Sequence, residues 1–300
     1  MTIWDKTLLL ILLRQRLEDE RTTDWQTLHK RDRHWFLAET STTPWSILKS
    51  WLSQWQTDHR SITLLIYLLS IGALVLGFSL IAGLVEFLTF ERINLLWFML
   101  IAILLPFAWW LAALFFSSAQ VPFPLWTLIE QRLPQGNFRA LLKPLMKSTV
   151  LALGQQLSLL FTIGMLLAFL LYLSVTDLAF GWSSTLDLTS AWIHRITSIL
   201  AWPWQQLWPA ASPSLELIEQ THYYRAAPAA AEQPALLGQW WPFLLMCLLT
   251  YVLLPRVITS LWQRRRLTKL QQSTLQNDAL ISGLWQRLTT ELIDHEAEQV

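Results

Sequence analysis

Apolar positions run along this chain in four long blocks, Ile62–Leu84, Ile93–Phe116, Ser148–Val175 and Leu236–Pro255, and none of them holds a charged side chain. A hydrocarbon core of ~30 Å takes about twenty helical residues to cross, so each block is long enough to span a bilayer. Lipid offers the backbone no hydrogen-bond partner, which leaves helices or a closed barrel, and the alternation a barrel strand needs is absent from all four blocks. The pattern therefore predicts an all-α integral membrane protein with four transmembrane helices.

Between and beyond the blocks the pattern turns amphipathic. Before the first block it predicts helices over roughly Trp4–Arg21 and after Thr23. A third helix starts at Thr43–Pro44, a capping residue followed by proline at the first helical position. Trp45, Ile47, Leu48, Trp51, Leu52 and Trp55 form its apolar stripe, suited to covering the other helices, lying on a membrane surface or meeting a partner. After the last block, Leu267, Leu270, Leu280, Ile281, Leu284, Leu288, Leu292 and Ile293 recur near helical spacing from a basic start, with Gly283 interrupting them. This tail either pairs with the N-terminal helices of the same chain or offers Leu284, Leu288 and Leu292 as a docking stripe for a soluble partner.

Lysine and arginine give the direction of insertion, because they are retained on the cytoplasmic side. Residues 1–61 carry nine, from Lys6 to Arg60; the connection 117–147 carries Arg132, Arg139, Lys143 and Lys147; the tail carries Arg264, Arg265, Arg266, Lys269 and Arg287. The connection 85–92 has only Arg92, and 176–235 has only Arg195 and Arg225. Both ends are thus expected in the cytoplasm. The expected organisation is a cytoplasmic helical region 1–61, spans one to three within 62–175 around a cytoplasmic loop 117–147, an outer segment 176–235, a fourth span within 236–262 and a cytoplasmic tail 263–300. The loop's prolines and Gly136 flank a short helix near Leu125–Leu133. Leu8–Leu13 is too short for a signal-peptide core and is followed by charges, so the first span is expected to direct insertion.

Composition sharpens this picture. Hydrophobic residues make up 53% of the 300, against 14% charged, a balance a soluble domain does not carry. A net charge of +1 lacks the concentrated basic face that nucleic acid requires. The nineteen tryptophans fit a membrane protein, since the indole ring favours the membrane–water boundary. Several cluster in the outer segment, where an apolar helix from about Asp187 to Pro203 is expected to rest on the bilayer. Cys247 is the one cysteine and sits inside an apolar block, so it is expected to be an inert packing residue.

Candidate chemistry is sparse. Ser183 and Ser184 lie near His194 in sequence without an acid that would orient the histidine. His194 and His222, the latter beside Tyr223 and Tyr224, lack zinc-site spacing, and no glycine-rich phosphate loop occurs. No catalytic, cofactor or metal residue is therefore assigned, and an enzyme is not expected. Inside the spans the polar or helix-breaking positions singled out are Gln155 and Gln156 in the third, Pro106 in the second and Glu86 at the end of the first. Small residues one turn apart, Ala73–Gly77, Ser79–Gly83, Gly154–Ser158 and Gly164–Ala168, permit close helix packing. Gln155, Gln156, Gly77 and Gly164 are accordingly read as helix-packing residues, or else as the lining of a pathway.

The run FGWSSTL at Phe180–Leu186, the segment around Ala201–Pro209, PSLELIEQTHYYR from Pro213 to Arg225, the cluster Glu18–Arg21 and the triplet Arg31-Asp32-Arg33 resemble a family of bacterial inner-membrane proteins classified as a domain of unknown function. The resemblance implies a multi-pass protein of that membrane and a soluble GTPase-like partner, since members are often encoded beside one. It carries over no functional residue. With the absence of an active site, it predicts a non-enzymatic membrane scaffold that recruits a soluble cytoplasmic partner. A homo-oligomeric channel or transporter subunit is the alternative.

Overall fold

The computed structural model describes residues 1–55, 60–88, 92–118, 137–186, 188–223 and 234–291, and these are almost entirely helical. They fall into two compact units: Met1–Ile66, Pro122–Ala152 and Trp262–Val300 form the first, Tyr67–Val121 and Leu153–Leu261 the second. The expected helix near Leu125–Leu133 lies outside the described residues, as do Leu292 and Ile293 of the tail stripe.

The first unit gathers both ends of the chain. Its helices are α1 (Ile3–Asp19), α2 (Trp25–Leu37) and α3 (Pro44–Ser53), each started by a side-chain cap. Thr2 and Asp5 form a reciprocal capping box on α1, Asp24 accepts from the Thr27 amide on α2, and Thr43 with Ser46 boxes α3 ahead of Pro44. The tail continues from a long helix, Leu254–Asn277, into α12 (Ala279–Thr289), capped by Asp278. Leu9, Leu10, Leu13 and Leu17 of α1 meet Ile47, Leu48, Trp51 and Leu52 of α3 and Leu267, Ile281, Leu284 and Leu288 of the tail in one hydrophobic core.

Leu284 and Leu288 are each 0% exposed. The tail stripe is therefore not a free docking surface: it closes the core that the N-terminal helices leave open, which corrects the reading of these leucines as partner contacts. Burying two leucines stabilises by roughly 3–6 kcal/mol, and an amphipathic tail reaches that most directly on its own chain. The α3 stripe serves the same core.

The second unit holds most of the apolar helices. Four helices are long and apolar enough to cross a membrane: Thr63–Glu86, Leu95–Leu114, Lys143–Val175 and Gly238–Asn277. The first and third meet at glycines. A Cβ on Gly77 would strike the Phe161 backbone, and one on Gly164 would strike the backbone of Leu74 and Phe78. The second and fourth are each interrupted by a π-helical stretch, Leu100–Leu104 and Leu248–Leu253. The fourth does not stop at Pro255, where its uncharged block ends, nor at residue 262, where the span was expected to end: a π stretch precedes the proline and the helix continues to Asn277.

Among the described residues one two-residue parallel pair, Ile93–Asn94 with Phe180–Gly181, ties the start of the second span to the chain after the third. Beyond it lies α8, Ser190–Ala201, shorter than expected but in the expected place. Trp182, Trp204 and Trp240 are buried rather than interfacial. Their indole N–H groups donate to the Ile218 carbonyl (2.7 Å), the Ala211 carbonyl (3.2 Å) and the Thr221 hydroxyl (3.2 Å), which removes the cost of burying them.

Candidate functional site

Two prolines organise a polar layer in the second unit. Pro106 follows the π stretch of the second span and Pro255 follows that of the fourth. Proline has no N–H and frees a carbonyl of the turn before it, and π turns recur where a helix is opened for a functional or polar contact. The residue after Pro255, Arg256, is buried beside these breaks. It is 2% exposed; its Nε donates to Ser158 Oγ at 2.9 Å, and its two terminal nitrogens donate to the Val252 carbonyl at 2.8 Å and the Pro106 carbonyl at 2.6 Å. One guanidinium thus ties the second, third and fourth spans together.

One turn along, the Thr259 hydroxyl lies 3.0 Å from Gln155 Oε1 and 2.9 Å from the Pro255 carbonyl, and it receives Trp110 Nε1 at 3.4 Å. Among the described residues no carboxylate pairs with Arg256, so its charge is held by neutral acceptors alone. A cation of this kind can hold helices in register or attract an anion.

Arg256 falls inside the range 236–262 expected for the fourth span but one residue past its uncharged block, and no role was read for it from the sequence. The signal was present: Leu254, Ile258, Leu261 and Trp262 are exposed while Arg256, Thr259, Ser260 and Gln263 are buried. Apolar outside and polar inside at helical spacing is the mark of a helix that faces lipid on one side and protein on the other.

The two adjacent amides point to different neighbours, Gln155 to Thr259 of the fourth span and Gln156 Nε2 to Ser70 Oγ of the first, at 3.4 Å. Gly77 and Gly164 sit where the first and third spans nearly touch. The four residues read as packing or pathway positions therefore lie at helix contacts, and neither the groove along α8 nor the cavity at Phe78, Leu171 and Tyr172 is lined by any of them. Replacing Gln155 with leucine is expected to weaken the purified protein by about 1 kcal/mol, the usual worth of an interhelical hydrogen bond in a membrane, and Gln156 with leucine by less. Denaturation in mixed detergent measures both, and equal or zero effects would dismiss the amides as helix contacts.

The remaining candidates are dispersed. Ser183 accepts from Asn94 Nδ2 through its carbonyl at 3.2 Å, and Ser184 Oγ accepts from the Leu186 amide. His222 stacks on Trp182 with ring centroids 4.1 Å apart, while His194 lines a groove along α8. Among the described residues no three His, Cys, Asp or Glu side chains are grouped to hold a metal ion.

The first unit has its own charged centre. Glu20, 4% exposed, takes both terminal nitrogens of Arg31 (2.8 and 3.1 Å) and lies 3.5 Å from Arg287. Asp32, 1% exposed, pairs with Arg287 Nε at 3.0 Å and with Arg31, and accepts the Trp51 N–H at 3.2 Å. Burial works against the Arg31 charge, but the two carboxylates outweigh it and raise its pKa above the ordinary value. Arg33 and His29 meet the last carbonyls of α12, Leu288 at 2.8 Å and Thr290 at 3.1 Å, and Arg14 pairs with Asp278 at its start. Two arginines share two buried carboxylates, so removing one carboxylate leaves excess positive charge in the centre, and the pairs to Arg287 fix how the tail docks.

Residues 112–299 match the family described as "Protein of unknown function (DUF2868)". No curated protein and no solved structure matches the chain.

Proposed function

We propose, on the premise that the chain belongs to the DUF2868 family of proteins of unknown function, that it is a non-enzymatic scaffold of the bacterial inner membrane that holds a soluble partner at the cytoplasmic face. The observation that carries the proposal is the first unit, in which both ends of the chain fold together around a buried ion-pair network. That residues 1–55 and the tail up to 291 share one folded unit supports their lying on one side of the membrane, in keeping with four spans between them. The lysine and arginine count supports the cytoplasm as that side. With Leu284 and Leu288 consumed in the core, the partner surface shifts to the two ends of α2, where Trp25 and Leu37 are 52% and 71% exposed. The partner class implied by the family resemblance is GTPase-like.

The test is affinity purification of the full chain from native membranes. A stoichiometric soluble companion is expected, lost when Trp25 and Leu37 are changed to aspartate at unchanged thermal stability. A cytoplasm-only reporter fused after Val300 is expected to be active, and a cysteine replacing Glu219 is expected to react with an impermeant reagent from outside, Cys247 being buried. No companion, or the opposite labelling pattern, would refute the scaffold reading.

A channel or transporter subunit is the second reading, and Arg256 is what favours it. Ionisable residues and broken helices at membrane depth are the usual marks of a solute path. A homo-oligomer that conducts anions in planar bilayers, and stops doing so when Arg256 is changed to glutamine, would put this reading first.

A further inference from the structure

Helix α8 buries Ile193, Thr197 and Ala201 against its own unit and turns a second face outward, with Trp192, Ile196, Ile199 and Trp202 44–73% exposed. The end of this helix is tied to the fourth span: the Tyr251 hydroxyl donates to the Leu200 carbonyl at 2.8 Å, and Trp204 packs against Phe243 and Tyr251. Tyr251 lies ten residues past Trp241, where that helix begins. Tyr251 belongs to a helix long and apolar enough to cross a membrane, so the end of α8 is held against a membrane-crossing helix and its outward face at Ile199 and Trp202 is placed to meet acyl chains.

A groove of about 680 Å³ runs along this face, and His194, Arg195, Ser198, Trp202 and Gln205 are among its lining. Arg195 is exposed and, among the described residues, has no carboxylate partner; none lines the groove. Its long side chain can keep its stem along the apolar face while its charged end reaches the headgroup layer. His194 and Ser198 sit one turn apart beside it and supply further polar atoms, and Nδ1 of His194 is buried without a partner.

We infer that this groove binds the headgroup of an anionic phospholipid, with Arg195 on the phosphate, Ser198 as a neutral hydrogen-bonding group, and Ile199 and Trp202 along the first acyl carbons. A cation embedded in an apolar face selects an amphiphile that carries an anion and a hydrocarbon tail together. A free phosphate satisfies the first need and leaves the second unmet.

Native mass spectrometry of the full chain, released from micelles containing equal phosphatidylglycerol and phosphatidylcholine, tests the site. The wild type is expected to retain phosphatidylglycerol about five-fold over phosphatidylcholine, the worth of one basic residue against an anionic lipid. Arg195→Gln should bring the ratio to near one at an unchanged melting temperature, since the side chain is exposed and unpaired. Arg195→Lys should keep most of the preference, and excess glycerol phosphate should not displace the lipid. An unchanged ratio in Arg195→Gln, displacement by glycerol phosphate, or a groove closed by a second copy of the chain would each overturn the assignment.

Discussion

Changing Leu284 and Leu288 together to aspartate is expected to unfold the first unit while leaving the spans inserted. Both side chains are fully buried among α1, α3 and the tail. Truncating one such leucine costs about 2–5 kcal/mol, and putting an unpaired carboxylate in its place adds a desolvation penalty of several kcal/mol more. Two of these substitutions together match or exceed the roughly 5–15 kcal/mol that holds a typical domain together. Rapid proteolysis between residues 1 and 55 in the double variant, with normal membrane extraction, is the expected result. Co-purifying protein would be lost with the fold, so the α2 changes at Trp25 and Leu37 are needed to separate docking from folding. A double variant as protease-resistant as the wild type would mean that the tail does not close this core.

The same contrast explains what the sequence made legible. The four apolar blocks, the capped start at Thr43–Pro44 and the helical spacing of the tail are local signals, each fixed by a few neighbouring residues, and the helices stand where those signals put them. The tail stripe was read correctly as a helix face, but a periodicity reports that a face is buried and not what buries it. Its partner became visible only when α1 and α3 were seen to leave a matching gap. The charged residues of the family-like segments, Glu20, Arg31 and Asp32, were legible as motifs and not as a network, because their meeting with Arg287 spans more than 250 residues of sequence. Arg256 was hidden for a different reason. Proline is a reliable stop in a soluble helix, and in this chain a π stretch precedes it and the helix runs on.

The packing of the first and third spans gives the second large effect. Gly77 and Gly164 let the two backbones approach until there is no room for a methyl group, since a Cβ at either position would run into main-chain atoms that cannot swing aside as a side chain does. Small residues at such crossings replace the hydrophobic drive that lipid removes, by bringing van der Waals surfaces and carbonyls together. Gly77→Leu or Gly164→Leu must push the helices apart, at about 1–3 kcal/mol each for an overpacked contact, and the pair together should separate the first span from the third. Gly72 and Gly154 supply the comparison, because nothing lies within 4 Å of a Cβ at either. Alanine there should be neutral or slightly stabilising, as helix propensity favours alanine over glycine by roughly 1 kcal/mol in a helix interior. Denaturation of the purified full chain in mixed detergent, with disulfide trapping between cysteines placed at Leu74 and Phe161, would show lower stability and weaker trapping for the first two positions only. Equal tolerance at all four glycines would mean that the spans do not cross where the structure brings them together.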